Sequence, residues 1–345
     1  MKRLYNEHIL KTIKKPIFGF VMVGFVLVLL NLFSDLFPPD IHTALIITSY
    51  YSIAGLGFAL LLGYGGLASL GTGAFVAIGS FGLHYVYRYM TQPILIAILI
   101  VVAVSIIVSI IFGFVSLRIS GMYLAIVTMG LSQIIVEVIR NIPEYASGTT
   151  GGFLTNGPVR PLEIFGYRLQ SNDAIIFIAI FIVFAMIIIY NLIQSPTGRA
   201  LLSIKNSETA AQTMGISLIK YRLFSFVISG IYGTIAGVLS MLYLRNGNIN
   251  GIGLNFALNV LAAVVIGGTK SIWGIILGTF MIFGLDLAVF QRLNLGSYSI
   301  ILNGILIILV VMFYPGGLIQ LFGDIKKGIK KLKLKVEQYR YGKDE

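Results

Sequence analysis

The chain contains no cysteine and only three histidines, His8, His42 and His84, scattered along 345 residues. The first absence excludes a disulfide framework, a thiolate nucleophile and any cysteine-based metal site. The second leaves too few imidazoles for a zinc centre or a Ser/His/Asp grouping. Charge is scarce as well: 11% of residues are Asp, Glu, Lys or Arg, where a water-soluble domain carries about a quarter. No segment satisfies the phosphate-binding pattern Gly-x-x-x-x-Gly-Lys-[Ser/Thr]. The nearest approach, Gly267-Gly268-Thr269-Lys270-Ser271, has Thr where the second Gly belongs and follows an apolar run rather than a soluble strand. The chain therefore offers no catalytic residues and no means of hydrolysing ATP by itself.

What the sequence has instead is apolar length. Hydrophobic residues make up 57% of it, and the mean hydropathy is +0.93. Runs of spanning length follow one another with no polar linker between them. They cover roughly 17–34, 43–62, 66–87, 93–116, 120–140, 173–194, 221–244, 254–268, 272–290 and 298–316. Gly267, Gly268 and Gly274 interrupt the stretch 254–290, which reads alternatively as one long span plus a broken one. The expected fold is an all-α integral membrane protein, a polytopic bundle of about ten transmembrane helices in one domain over 17–320. The basic start of the chain mimics a secretory signal, but the apolar run Ile17 to Phe33 is too long for one and no small-x-small cleavage site follows.

The net charge of +12 has a simple distribution. With ten spans and a cytoplasmic N-terminus, the inside receives the basic tail 1–16, Arg118, the loop 195–222, Lys270 and the basic tail 321–345. The outside keeps six basic residues of the 25: Arg88, Arg140, Arg160, Arg168, Arg245 and Arg292. That is the positive-inside pattern of a multi-pass protein of the bacterial cytoplasmic membrane, with both termini cytoplasmic. It accounts for the charge through anionic lipid headgroups and without nucleic acid. Two loops exceed simple turns, an external one over 141–172 and a cytoplasmic one over 195–222.

The cytoplasmic loop carries the most information. Residues 199–214 favour helix, Ser207 suits an N-cap partway along, and Gly215 suits the position that ends a helix. Leu201, Leu202, Ile204, Ala211 and Met214 are available for an apolar face. Within it, Glu208-Thr209-Ala210-Ala211-Gln212-Thr213-Met214-Gly215 resembles the coupling-loop motif of ATP-binding-cassette importer permeases. The lead-in Ser195-Pro196-Thr197-Gly198-Arg199-Ala200 is similar to that of the branched-chain amino acid (Liv-type) group of these permeases. So are Leu62 to Gly71, Gly121 to Thr128, the external Thr150-Gly151-Gly152, and Val264 to Gly274, all in the family's order. Lys270 and Ile275 depart from it, standing where members usually carry Gly or Met and often Pro.

This resemblance implies a translocation subunit that is not an enzyme and binds no cofactor of its own. ATP and Mg would sit on two partner ATPase subunits, and a second homologous permease and an extracytoplasmic substrate-binding protein would complete the assembly. It implies an ATPase-coupling role for Gly198, Arg199, Asn206, Ser207, Glu208, Ala210, Ala211 and Gly215. Glu208 is expected to anchor the helix through its own first-turn N–H groups or through a basic residue of the partner. The implied cargo is a branched-chain or related amino acid, with nucleosides or urea and amides as alternatives in the same class. An ion-coupled secondary transporter is the alternative from another class.

Candidates along a transport path follow from polar residues and glycines in the apolar runs. They are Tyr64, Gly65, Ser69 and Thr72 in one stretch, Gly267 and Gly268 in another, and the carboxylates Glu137 and Asp286. Glu137 lies three residues before Arg140 and is within reach of an ion pair on one helix face. Asp286 has no obvious partner in its own span. The stretches Gly65 to Leu70 and Gly267 to Ile272 share Gly-Gly-x-x-Ser followed by Leu or Ile, a faint sign of duplication. Gly233 with Gly237, and Gly274 with Gly278, have the spacing of close helix packing. Tyr50, Tyr51, Tyr85, Tyr87 and Tyr314 read as residues of the interfacial aromatic belt.

Overall fold

The computed structural model describes residues 16–33, 38–90, 92–116, 121–142, 163–164, 167–168, 171–245, 251–293, 298–314, 316–320 and 324. The basic tails lie outside the described residues but for Pro16 and Asp324, as do Arg118 and the Thr150-Gly151-Gly152 segment. The helices are α1 (Pro16–Leu32), α2 (Pro39–Ala59), α3 (Thr72–Arg88), α4 (Ile94–Ser116), α5 (Met122–Arg140) and α6 (Ser171–Gln194). After them come α7 (Pro196–Asn206), α8 (Glu208–Thr213), α9 (Leu218–Leu244), α10 (Leu254–Gly267), α11 (Ile272–Thr279) and α12 (Ser299–Phe313). Each of the ten apolar runs contains one of these helices, and α7 and α8 lie between the sixth and seventh. Among the described residues six are long and apolar enough to cross a membrane, counting α2 and α11 with their π-helical extensions. Helices α1, α10 and α12 are apolar but shorter.

Burial sorts the bundle into a centre and a shell. In α2 and α9, 78% and 67% of the most apolar window is buried, against 28% in α4 and 22% in α5. Helix α9 is the hub, packing on α2, α3, α4 and α6. Its contacts depend on small residues, because helices in lipid gain little from hydrophobic transfer and rely on close approach. A Cβ on Gly79 of α3 would lie 2.1 Å from the Thr234 carbonyl, and one on Gly237 of α9 would lie 2.1 Å from the Val76 carbonyl. Across α9 and α4, Thr234 Oγ1 donates to Ser105 Oγ at 2.6 Å. Tyr232 Oη donates to the Ala185 carbonyl of α6 at 3.0 Å. Buried hydroxyls on α2 turn back on their own helix instead: Thr48, Ser49 and Ser52 donate to the carbonyls four residues earlier, which satisfies them without water.

Three expectations change, and over 254–290 the reading as two separate spans holds against its alternative. The third helix begins at Thr72 and not near residue 66, because α2 widens into a π-helical turn (Leu60–Tyr64) and the chain then runs non-helically to Gly71. Gly66 takes a φ of +70° there, a conformation that L side chains avoid. The 254–290 stretch resolves into α10 and α11 joined by a short turn at Gly268, with φ of +100°. Gly267, Gly274 and Gly278 let them touch: a Cβ on Gly278 would lie 2.0 Å from the Ala263 carbonyl. Part of the loop over 141–172 is a strand pair, with Glu163 opposite Arg168 and Ile164 opposite Tyr167. Tyr50 and Tyr51 belong to the core and not to an interfacial belt. Tyr50 is fully buried, and the Tyr51 ring packs on Phe256 and Phe283 at centroid distances of 4.8 and 4.7 Å.

The α3–α9 contact is testable through paired substitutions. Gly237→Leu is expected to destabilise the detergent-solubilised protein by about 1–3 kcal/mol, since backbone cannot yield as a side chain does. Gly304→Leu on α12, where a Cβ meets nothing within 4 Å, is expected to stay within about 0.5 kcal/mol. Thermal unfolding of the two variants side by side decides it, and equal midpoints would refute the packing account.

Candidate functional site

The loop after α6 is built as a rigid element. Pro196 occupies the first position of α7, where its missing N–H costs nothing. Ser195 caps the helix, its Oγ accepting from the Gly198 amide at 3.4 Å. A Cβ on Gly198 would lie 2.3 Å from the Ile193 carbonyl, so the turn from α6 into α7 needs glycine there. Ser207 then caps α8, accepting from the Ala210 amide at 3.3 Å. At the far end the Ile216 amide donates to Ala211 O at 3.0 Å and the Gly215 amide to Gln212 O at 2.9 Å. With Gly215 at φ +78° this is a Schellman stop. Leu201, Ile204 and Ala211 are buried and hold the pair against the bundle.

Two cross-links fix it further. Glu208 pairs with Arg222 of α9, whose side chain is 14% exposed against 49% for Glu208. Within the chain the anchor is thus Arg222 of α9 rather than the first-turn amides. Lys205 Nζ donates to the carbonyls of Gly63 at 2.8 Å and Leu62 at 3.2 Å, at the end of α2. Partial burial, and then the nearby Lys270, hold its ammonium below the ordinary lysine pKa. Outward, the element presents apolar surface. Met214 is 82% exposed and Ile219 59%, beside a cleft of about 360 Å³ lined by Gln212, Gly215, Ile216, Ser217, Leu218 and Ile219. Of the residues available for an apolar face, Leu201, Ile204 and Ala211 are buried while Met214 is exposed. Arg199 Nη1 donates to the Gln194 carbonyl at 3.2 Å, while Asn206 and Ala210 are exposed.

The pathway candidates separate into three places. Tyr64, Gly65, Gly267 and Gly268 gather at the α7–α8 end of the bundle, and from Gly65 the chain carries Ser69 and Thr72 inward, where a Cβ on Gly233 of α9 would lie 3.6 Å from the Thr72 carbonyl. The Tyr64 hydroxyl donates to the Lys270 carbonyl at 3.4 Å. The Leu70 amide, left unpaired by the helix break, donates to Thr128 Oγ1 of α5 at 2.9 Å, and the Gly71 amide donates to Ser69 Oγ at 3.3 Å. Glu137 lies at the other end of α5, paired with Arg140 at 2.9 Å and accepting from Asn141 Nδ2 at 2.9 Å. Asp286 opens the second of two π-helical stretches that continue α11, Phe280–Gly284 and Asp286–Gln291. It does have a partner in its own span: Gln291 Nε2 donates to Asp286 Oδ2 at 3.2 Å, the i,i+5 spacing that a π turn stacks. Oδ1 is buried with no partner among the described residues.

The family described as branched-chain amino acid transport system / permease component matches residues 41–311, from the start of α2 to the end of α12. The chain belongs to that family. LivM, the high-affinity branched-chain amino acid transport system permease protein of Escherichia coli (strain K12), is 28% identical over 299 residues, covering 79% of this permease and 68% of LivM. LivM of Salmonella typhimurium is 29% identical over 298 residues, with the same two coverages. The ribose import permease protein RbsC of Haemophilus influenzae is 30% identical over 129 residues, 36% of this permease and 39% of RbsC. The chain is thus a multi-pass membrane permease subunit of the Liv type.

Sequence reasoning located the permease's helical hairpin but passed over Lys205, Arg222 and Thr128. The signal for Lys205 was available: it sits four residues after buried Leu201, on the edge of the apolar stripe of α7. Arg222 and Thr128 act across long sequence separations and carry no local signature. The caps predict a specific local effect. Gly215→Ala places a Cβ on a left-handed residue, so the amides of α8 are expected to exchange with deuterium about ten-fold faster while the global unfolding midpoint holds. Unchanged exchange over 208–216 would show that the stop does not depend on glycine.

Proposed function

We propose that this permease carries a branched-chain or related amino acid inward across the cytoplasmic membrane, driven by ATP hydrolysed on two partner ATPase subunits. The observation that carries this reading is the α7–α8 tip. It is capped at both starts, stopped by a Schellman turn and tied to α9 by an ion pair. Yet it leaves Met214 to solvent, beside exposed Ile219 in the first turn of α9. A rigid helix with exposed apolar residues transmits displacement from a partner's groove, which a loose loop does not. In this reading the α7–α8 end is cytoplasmic, with Arg199, Lys205, Lys220, Arg222 and Lys270 on the positive side. The opposite end receives a loaded extracytoplasmic binding protein.

A second permease subunit completes the path. Helix α5 turns Gly130, Gln133 and Glu137 outward among apolar neighbours, a face better matched by protein or water than by lipid. The free Oδ1 of Asp286 is placed to meet a substrate ammonium. The similarity to RbsC, a ribose permease, favours a second reading in which the same machinery carries a sugar-bearing solute such as a nucleoside.

Affinity purification of the full chain from gently solubilised membranes tests the reading. An ATPase subunit is expected to co-purify, and Met214→Asp is expected to abolish its recovery while the chain still inserts. Uptake of labelled leucine by vesicles holding the complex should require ATP, and Asp286→Asn should lower it about ten-fold. A chain that purifies alone and moves solute on an ion gradient without ATP would overturn the proposal, and uptake of a nucleoside instead of leucine would favour the second reading.

A further inference from the structure

A helix that ends inside a protein leaves carbonyls that need donors. At the end of α2, Leu60 O accepts from the Gly65 amide and Leu61 O from the Leu67 amide, each at 3.0 Å. The next two carbonyls, Leu62 and Gly63, are taken by Lys205 Nζ, which arrives from α7. A cation there also meets the negative end of the helix dipole. The lysine stem lies over Gly66, where a Cβ would sit 3.1 Å from Lys205 Cγ. On its other side Gly63 is closed by the α10–α11 turn: a Cβ would lie 2.2 Å from the Thr269 carbonyl. That turn in turn touches the chain after α12, since a Cβ on Gly317 would lie 2.4 Å from the Gly268 amide nitrogen. Lys205 therefore joins the α7–α8 element to the point where both helix breaks meet.

We propose that Lys205 is a positioning residue that couples α7 to these breaks, holding the 65–71 segment shut while α7 is seated and releasing it when α7 shifts. The stroke required is small, because a displacement of about 1 Å carries both contacts beyond hydrogen-bond range. The source of the displacement rests on the importer reading above. The latch itself does not, and the two are tested separately.

The absence of cysteine makes the first test clean. Leu67 is buried within the 65–71 segment, so Leu67→Cys reports its opening through reaction with a water-soluble maleimide in membrane vesicles. Adding Lys205→Met, which keeps the stem and removes the donor, is expected to raise the labelling rate about ten-fold, and Lys205→Arg to return it close to the parent value. Lys205→Gln, polar but too short to reach both carbonyls, should move the rate in the same direction as Met and serves if Met impairs insertion. Equal rates in parent, Met and Gln variants of equal thermal midpoint would overturn the latch. In the assembled transporter, Lys205→Met is expected to lower ATP-driven uptake about ten-fold while ATP hydrolysis continues. A parallel fall in both, or no fall in uptake, would overturn the coupling role, and failure to recover any ATPase would count against the importer reading and leave the labelling result standing.

Discussion

The constraint on which the structure depends is that backbone polar groups surrounded by apolar side chains and lipid must find partners within the protein. Continuous helices meet it automatically. The two interruptions, after α2 and between α10 and α11, meet it only through specific donors and acceptors. Thr128 accepts the Leu70 amide and Ser69 the Gly71 amide. Ser271 Oγ accepts the Gly274 amide, and Lys205 supplies the carbonyls of Leu62 and Gly63. Side chains from α5, α7 and α11 are thus committed to one region of the bundle.

The same constraint explains why the packing around α9 uses small residues and hydroxyls. With little hydrophobic gain between helices in lipid, contact depends on how closely backbones approach. Gly79 and Gly237 place α3 directly against α9, and the Ser105–Thr234 pair joins α4 to it. The helices with fewer buried positions, α1, α4 and α12, expose Phe25, Leu99 and Ile308 outward. The result is a central pair, α2 and α9, surrounded by helices whose outer faces suit lipid.

At the α7–α8 end the elements are joined to one another and to the bundle centre. The α7–α8 pair has its own caps and stop, so it behaves as a unit. Arg222 ties it to the start of the hub helix α9 and Lys205 ties it to the end of α2. A displacement of the pair is therefore felt by both central helices.

The sequence by itself determined the membrane class, the ten apolar runs and the helical hairpin α7–α8, because hydropathy, caps and glycine stops act over a few residues. Ser207 and Gly215 were legible for that reason. So was the Glu137–Arg140 pair, three residues apart on one helix. Only the tertiary structure decided that the third helix starts at Thr72, that Tyr50 and Tyr51 are core, that Met214 faces outward and that Arg222 anchors Glu208. These depend on packing between segments apart in sequence, as does the Lys205 contact with the Leu62 carbonyl 143 residues away. No local pattern of side chains encodes which carbonyl a distant lysine will reach; the packing of α7 against α2 does.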